Sequence, residues 1–175
     1  MKYVVLIAGL LFTLNAGAQA FPSMQGELLN ESTIDLPEDC KGKYTLIGLA
    51  YSQKAEAELR SWYDPSIDKF ILKRGMFDDD YDLNLYFIPM FGGVTKVSYQ
   101  KSMKKVKELT DPELHDNVVF FKGDVKEYKQ ILELDDKEHP SFFFLSPDGK
   151  ILERFSDQFK EKYFETITEI IDTKG

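Results

Sequence analysis

The sequence predicts an α/β fold: a central mixed sheet of about five strands, helices on both faces, and a C-terminal β-hairpin followed by a helix. Short apolar runs rich in β-branched and aromatic residues alternate with segments whose apolar residues recur at helical spacing. Near the C-terminus, two apolar runs follow each other across an Asp-Gly turn, which is typical of a hairpin. Alternating units require parallel strands with right-handed crossovers, whereas the hairpin adds an antiparallel edge.

The first predicted strand and helix follow a turn-rich segment. Residues 21–43 contain several Pro and Gly residues and are predicted to form an irregular lead-in or a short hairpin. Residues 44–52 (YTLIGLAYS) are apolar with β-branched and aromatic members, which predicts a buried strand. Residues 53–63 are rich in Ala, Glu, Leu and Arg and predict a helix, which Asp64-Pro65 should interrupt because proline has no backbone N–H.

The rest of the chain alternates in the same way. The remaining predicted strands cover residues 83–91, 117–121, 141–145 and 150–155. The remaining predicted helices cover residues 98–109, 125–134 and 158–172. The last two strands flank residues 146–149 (SPDG), and the helix after them carries an apolar stripe that should pack against the sheet.

Composition excludes several classes of protein. The chain has 175 residues, 43% of them apolar, which is enough to bury a core in one domain. Its net charge of −8 argues against a nucleic-acid binder that neutralises phosphates. The single cysteine excludes an internal disulfide, a CxxC pair and a multi-cysteine metal site. We expect no cofactor and no metal.

Residues 1–20 have the pattern of a secretory signal peptide. Lys2 precedes an apolar run over residues 3–14, and small residues follow up to Ala-Gln-Ala at 18–20. The run is shorter than the roughly 20 apolar residues that a membrane-spanning helix needs, so we expect cleavage after the last of these alanines and no transmembrane anchor afterwards. Residues 21–175 should then form a single domain that is periplasmic or secreted.

Two stretches of the sequence carry a family resemblance. In residues 42–59, a Gly-Lys turn leads into a strand and then into a helix. This order resembles the segment of TlpA-like and peroxiredoxin-like proteins in which W-C-x-x-C opens a helix. Residues 139–151 (HPSFFFLSPDGKI) are similar to the cis-proline strand and D-x-x-G hairpin of that superfamily. The resemblance implies a thioredoxin-like fold over roughly residues 36–172.

The resemblance breaks at the residues that carry the family's chemistry. Where the family has its two cysteines, this chain has Ser52-Gln53-Lys54-Ala55 or, one register earlier, a set that also lacks cysteine. Dithiol exchange needs an attacking thiolate and a resolving thiol, and neither is present there. This favours a redox-inactive protein that is not an enzyme.

A narrower resemblance points to assembly. Residues 58–65 (ELRSWYDP) and 118–124 (VVFFKGD) are similar to the mitochondrial ATP synthase assembly factor family and its bacterial relatives, which resemble thioredoxin-fold proteins without the cysteine pair. The resemblance implies a binding, chaperone or assembly role.

The predicted working surface joins the helix start to the loop before the SFFFL strand, because the two segments converge in thioredoxin-like folds. A backbone edge beside Pro140 can receive an extended peptide by strand addition. The expected partner is a protein or peptide, such as part of an envelope or membrane complex. A purely structural turn is the alternative for the His-Pro pair. The predicted binding residues are Tyr51, Ser52, Gln53, Lys54, Ala55, His139 and Pro140.

The alternative function is a single-cysteine thiol oxidoreductase or peroxiredoxin-like enzyme that uses Cys40. This residue precedes the first long strand, whereas the family's reactive cysteine would follow it, near Ser52. Lys41 would lower the pKa of the thiol, but Glu38 and Asp39 would raise it, so we do not expect strong activation. A loop thiol without a catalytic role is the simpler interpretation.

Two charged segments have simple interpretations. Asp78, Asp80, Asp82 and Asn84 alternate like calcium ligands, but the positions that a calcium loop needs as Gly and Glu are Leu83 and Pro89, so we expect a solvated acidic loop. The lysines of the 98–109 region should form a solvated helix face, or else a surface for an acidic partner or a lipid headgroup.

Overall fold

The computed structural model describes residues 19–75, 81–90, 96–121 and 123–174. Most of the predicted leader, up to residue 18, and the acidic residues 78–80 lie outside the described residues. Along the described chain, seven strands and five α-helices form a mixed α/β arrangement, which confirms the fold class expected from the sequence.

The turn-rich lead-in forms a hairpin of two strands, β1 (Met24–Leu28) and β2 (Thr33–Leu36). The strands pair antiparallel, and the Oδ1 atom of Asn30 accepts a hydrogen bond from the Ser32 amide (2.7 Å) in the turn between them. Alternate residues of both strands are buried, so one face of the hairpin packs on the core. Of the two conformations expected for this segment, the hairpin is the one present.

Five further strands follow: β3 (Tyr44–Ala50), β4 (Leu83–Pro89), β5 (Val119–Phe121), β6 (Ser141–Leu145) and β7 (Ile151–Ser156). Four of them form the central sheet in the order β4-β3-β6-β7, with β3 and β4 parallel and the other pairs antiparallel. The hairpin and β5 form a second sheet in the order β2-β1-β5. A parallel bridge between Phe87 and Val118 joins β4 to the start of β5, so the two sheets meet edge to edge.

The α-helices are α1 (Gln53–Leu59), α2 (Tyr63–Ser66), α3 (Lys96–Leu109), α4 (Val125–Ile131) and α5 (Glu161–Lys174). The helix predicted over 53–63 is divided, because a 3-10 turn at Arg60–Trp62 separates α1 from α2. Pro65 explains the division: it cannot donate to the carbonyl of Ser61, and its ring crowds that carbonyl. Within the described ranges, no helix combines the length and the apolar character needed to cross a bilayer.

Both faces of the central sheet are buried. Phe142 and Phe144 of β6 pack on one face with α1 and α5, whereas Phe143 and Leu145 pack on the other face with α4 and the hairpin. Successive residues of a strand point to opposite faces, so the apolar run SFFFL supplies both cores at once. On the first face, Trp62 stacks on Phe142 with 3.7 Å between ring centroids.

Candidate functional site

The predicted helix start lies where β3 leaves the sheet and α1 begins. Ser52 is the N-cap of α1: its backbone is extended, and its Oγ accepts a hydrogen bond from the Ala55 amide (3.0 Å). Serine is a favourable N-cap because its short side chain reaches a free amide of the first turn. The Ala55 side chain is fully buried, while Gln53 and Lys54 are exposed.

The loop that precedes β6 crosses this helix start. Ser52 Oγ donates to the carbonyl of Lys137 (2.5 Å), and the Tyr51 hydroxyl donates to the carbonyl of Leu134 (2.8 Å). Lys54 Nζ forms an ion pair with Glu138 Oε2 (2.5 Å). We call residues 134–139 the crossing loop. The structure therefore brings together the two segments that the sequence placed in one surface.

His139 ends the crossing loop between two carboxylates. Its Nδ1 lies 2.7 Å from Asp136 Oδ2, and its Nε2 lies 3.8 Å from Glu58 Oε2. The hydrogen bond to Asp136 is the main cause that raises the pKa of His139, with Glu58 and Asp157 adding to it and partial burial opposing it. The same hydrogen bond lowers the pKa of Asp136.

Glu58 completes this cluster from α1. Its side chain is only 13% exposed, and Gln158 Nε2 donates to its Oε1 (3.4 Å). Its Oε2 atom is buried and accepts no hydrogen bond from the described part of the chain, so a protonated His139 is the nearest positive charge for it. The cluster is a partly buried charge-pairing site at the edge of the predicted working surface.

Pro140 is buried at the start of β6. Among the described residues, the one cis peptide bond joins Leu36 to Pro37, and the bond between His139 and Pro140 is trans. The trans bond before Pro140 differs from the cis bond of the cis-proline strand to which residues 139–151 are similar.

Cys40 lies in the core, not in an exposed loop. It ends a 3-10 turn (Glu38–Cys40) and is 3% exposed. Burial raises the pKa of its thiol, and Asp39 adds to this, while hydrogen bonds with Thr45 and Tyr86 oppose it. Lys41, which could have favoured the thiolate, is paired with Glu38 (2.6 Å). The cysteine precedes β3 and Ser52 follows it, so they lie at opposite ends of that strand.

Charged residues of α3 and of the acidic loop form ion pairs within the fold. In α3, Lys107 pairs with Glu31 of the hairpin turn (2.6 Å) and Lys104 with Glu108 (3.9 Å). Asp82, the described aspartate of the acidic loop, pairs with Lys43 (2.7 Å). The described ranges contain no group of three His, Cys, Asp or Glu side chains placed to hold a metal ion.

Sequence reasoning missed Glu58 and Asp136, which make His139 part of a charged cluster. The spacing of Asp136 and His139 in one polar loop was an available signal. No sequence signal marked Glu58, because its contact with His139 arises only from the packing of α1 against the sheet. The role of the Leu134 and Lys137 carbonyls was equally hidden, since backbone acceptors carry no sequence signature.

Known proteins resemble this chain in structure. No protein-family model matches the sequence, and no curated protein matches it. Among solved structures, the exposed lipoprotein thioredoxin of Streptococcus pneumoniae superposes with a TM-score of 0.58 and 17% identity, over 85% of this chain and 99% of that one. A putative thiol-disulfide oxidoreductase from Bacteroides vulgatus gives a TM-score of 0.55 and 20% identity, over 93% of this chain and 95% of that one.

A third similar structure is yeast Sco1 with copper bound, with a TM-score of 0.55 and 12% identity, over 90% of this chain and 95% of that one. At these identities the likeness concerns the fold and not the chemistry. The matches extend over nearly the whole length of each similar chain. The chain has the thioredoxin-like fold.

Proposed function

We propose that this chain is an exported thioredoxin-fold protein that works as a binding or assembly module and does not use thiol chemistry. The observation that carries the proposal is the helix start. Its N-cap is Ser52, its first buried position is Ala55, and the crossing loop is hydrogen-bonded to Ser52. A hydroxyl and a methyl group cannot exchange disulfides, so the chemistry left to this surface is recognition.

The surface is suited to a polar protein or peptide partner. Gln53 and Lys54 are exposed on α1, and Asp135 to Glu138 are exposed on the crossing loop beside them. Mixed charges at short range favour a partner with complementary polar groups and disfavour a purely apolar ligand. An assembly role at an envelope or membrane complex agrees with the resemblance to the ATP synthase assembly factor family.

Site-specific photo-crosslinking in the native host tests this proposal. A photoreactive residue replaces Gln53 at the helix start, and the matched control carries the same residue at Thr33, which is exposed on β2. We expect a discrete crosslinked partner from position 53 and none from position 33. Equal crosslinking from the two positions, or none from position 53, would contradict the assignment of the surface.

A thiol assay tests the proposal that the protein does not use thiol chemistry. The purified protein and its Cys40→Ser variant are compared in insulin reduction and in peroxide consumption. We expect neither protein to show activity above the buffer, because the only thiol is buried and its pKa is raised. Activity that disappears in the variant would support the single-cysteine enzyme instead.

A further inference from the structure

Residues 19 and 20 belong to the folded domain. The carbonyl of Gln19 accepts a hydrogen bond from the Ile151 amide (2.8 Å), and the Phe21 amide donates to the carbonyl of Gly149 (3.0 Å). Ala20 pairs with Lys150 in an antiparallel bridge between these two bonds. The segment therefore adds a short stretch of strand to the outer edge of the β6-β7 hairpin.

The Gln19 side chain ties this stretch to two elements. Its Oε1 accepts a hydrogen bond from Arg154 Nη2 of β7 (2.5 Å), and its Nε2 donates to the carbonyl of Ile131 at the end of α4 (3.0 Å). Arg154 also donates to the carbonyl of Leu132 (3.1 Å), and its guanidinium lies 5.2 Å from the centre of the Phe143 ring. One amide thus links β7 to α4.

A chain that begins at Phe21 would lose the hydrogen bonds of Gln19 and the bridge of Ala20 to Lys150. It would also place a charged α-amino group at Phe21, whose nitrogen faces the Gly149 carbonyl. Gln19 is exposed, so a terminal amine at that residue stays in water.

The sequence offers a second cleavage motif two residues upstream. Ala16-Gly17-Ala18 has the same small-x-small pattern as Ala18-Gln19-Ala20. We propose that the leader is removed after Ala18 and that the mature chain begins at Gln19. In this step water adds across the peptide bond between Ala18 and Gln19, which leaves a carboxyl group on Ala18 and an amine on Gln19. The proposal shares with the proposed function only the expectation of export.

Intact-mass measurement of the exported product tests the cleavage position. The full-length gene is expressed in a Gram-negative host, and the periplasmic protein is purified from the wild type and from Ala16→Leu and Ala20→Leu. A small residue is needed three positions and one position before the cut, so Ala16→Leu blocks only the upstream cut and Ala20→Leu only the downstream one. We expect residues 19–175 from the wild type and from Ala20→Leu, and loss of that product in Ala16→Leu.

Three results would overturn the proposal: a wild-type product of residues 21–175, an uncleaved wild-type chain, or loss of processing in Ala20→Leu. A second variant tests the contacts themselves. Gln19→Ala, made in the full-length gene, should give an exported product whose urea midpoint is lower than that of the wild type. If the cut followed Ala20, residue 19 would be absent from both products and the midpoints would be the same.

Discussion

Ser52 and Ala55 decide which chemistry the helix start can carry. Both residues suit their places in the helix, because serine caps the first turn and alanine fits a fully buried site. In the thioredoxin-like proteins that residues 42–59 resemble, cysteines hold these positions. Serine and alanine supply neither of the two thiols that dithiol exchange needs.

Restoring two cysteines should restore exchange chemistry. In the Ser52→Cys, Ala55→Cys double variant, the thiols would lie one turn apart at the N-terminus of α1, where the helix dipole favours a thiolate. We expect the oxidised variant to contain a disulfide and its reduced form to reduce insulin. Each single variant is the control and should stay inactive. A double variant whose new thiols both remain free under oxidising conditions would contradict the match of these positions.

His139 should make stability depend on pH. Its pKa is raised in the folded state, so its pairing with Asp136 stabilises the protein below the usual histidine pKa and weakens as pH rises through the raised value. The pKa of Asp136 is lowered, so its contribution persists until pH falls below the usual aspartate range. Two cations are already paired beside the cluster: Lys160 with Asp157, and Lys54 with Glu138.

Urea unfolding of the wild type and His139→Gln checks this dependence. We expect the variant to lose most stability at about pH 5, between the usual pKa values of Asp and His, and to approach the wild type above about pH 8. Asp136→Asn is the matched control: an NMR titration should show the pKa of His139 falling towards its usual value. A constant difference across this range would contradict the pairing.

At the scale of elements, the contact between α1 and the crossing loop is the decisive feature. Ser52 performs two tasks there, because its Oγ accepts from Ala55 within the helix and donates to Lys137 in the loop. The Tyr51 hydroxyl and the Lys54 ion pair reinforce the second task. Leu134 anchors one end of the loop in the core, and polar contacts hold the rest of the loop to α1, so substitutions can separate the two tasks.

Two substitutions at Ser52 distinguish cap from loop contact. Ser52→Ala removes both hydrogen bonds and should cost about 1–2 kcal/mol of unfolding free energy. Ser52→Asp keeps a good N-cap acceptor but cannot donate to the Lys137 carbonyl when it is ionised. We expect Ser52→Asp to be the more stable variant and both variants to exchange crossing-loop amides faster than the wild type. Loop exchange at the wild-type rate in Ser52→Ala would show that the loop contact is unimportant.

At the scale of the whole molecule, sequence patterns were most reliable where local signals were strongest. The strand Ser141–Leu145 has the predicted bounds, since Pro140 precedes an unbroken apolar run and a turn sequence follows it. For the segment that contains residues 24–36, the sequence left two conformations open, an irregular lead-in and a hairpin. The local signal was weak because the strands of the hairpin are short and need β5 to complete their sheet.

The candidate site was predictable in outline only. The helix start and the segment before β6 could be placed together through the resemblance, but the meeting of His139 with Glu58 depends on tertiary packing. The burial of Cys40 was missed for a related reason. Its polar neighbours in sequence, Glu38, Asp39 and Lys41, predict an exposed turn, whereas the turn directs this one side chain into the core between the hairpin and β3.

The two cores should unfold together, since β6 supplies both. Phe142→Leu and Phe143→Leu each remove a ring from a fully buried position on opposite faces, and each should cost about 1–3 kcal/mol. Fluorescence of Trp62, the single tryptophan, reports the Phe142 face, while far-UV circular dichroism reports the whole sheet. We expect the two signals to give coincident urea transitions in the wild type and both variants. Separate transitions would show that the faces are independent.

The order of strands in the sheet also governs how the chain can fold. β1 pairs Leu28 with Val119 of β5, and β3 pairs Thr45 with Leu145 of β6. The pairing of β1 and β3 is therefore completed only after β5 and β6 have been synthesised. Until then the growing chain can form little more than the β1-β2 hairpin and the parallel β3-β4 pair, and small isolated sheets of this kind are barely stable in water. Long-range pairing also slows folding, because the loop entropy is lost before the contacts are gained. A nascent chain that stops before β6 therefore carries the apolar β3 with one edge unpaired, and that edge favours aggregation until β6 is made.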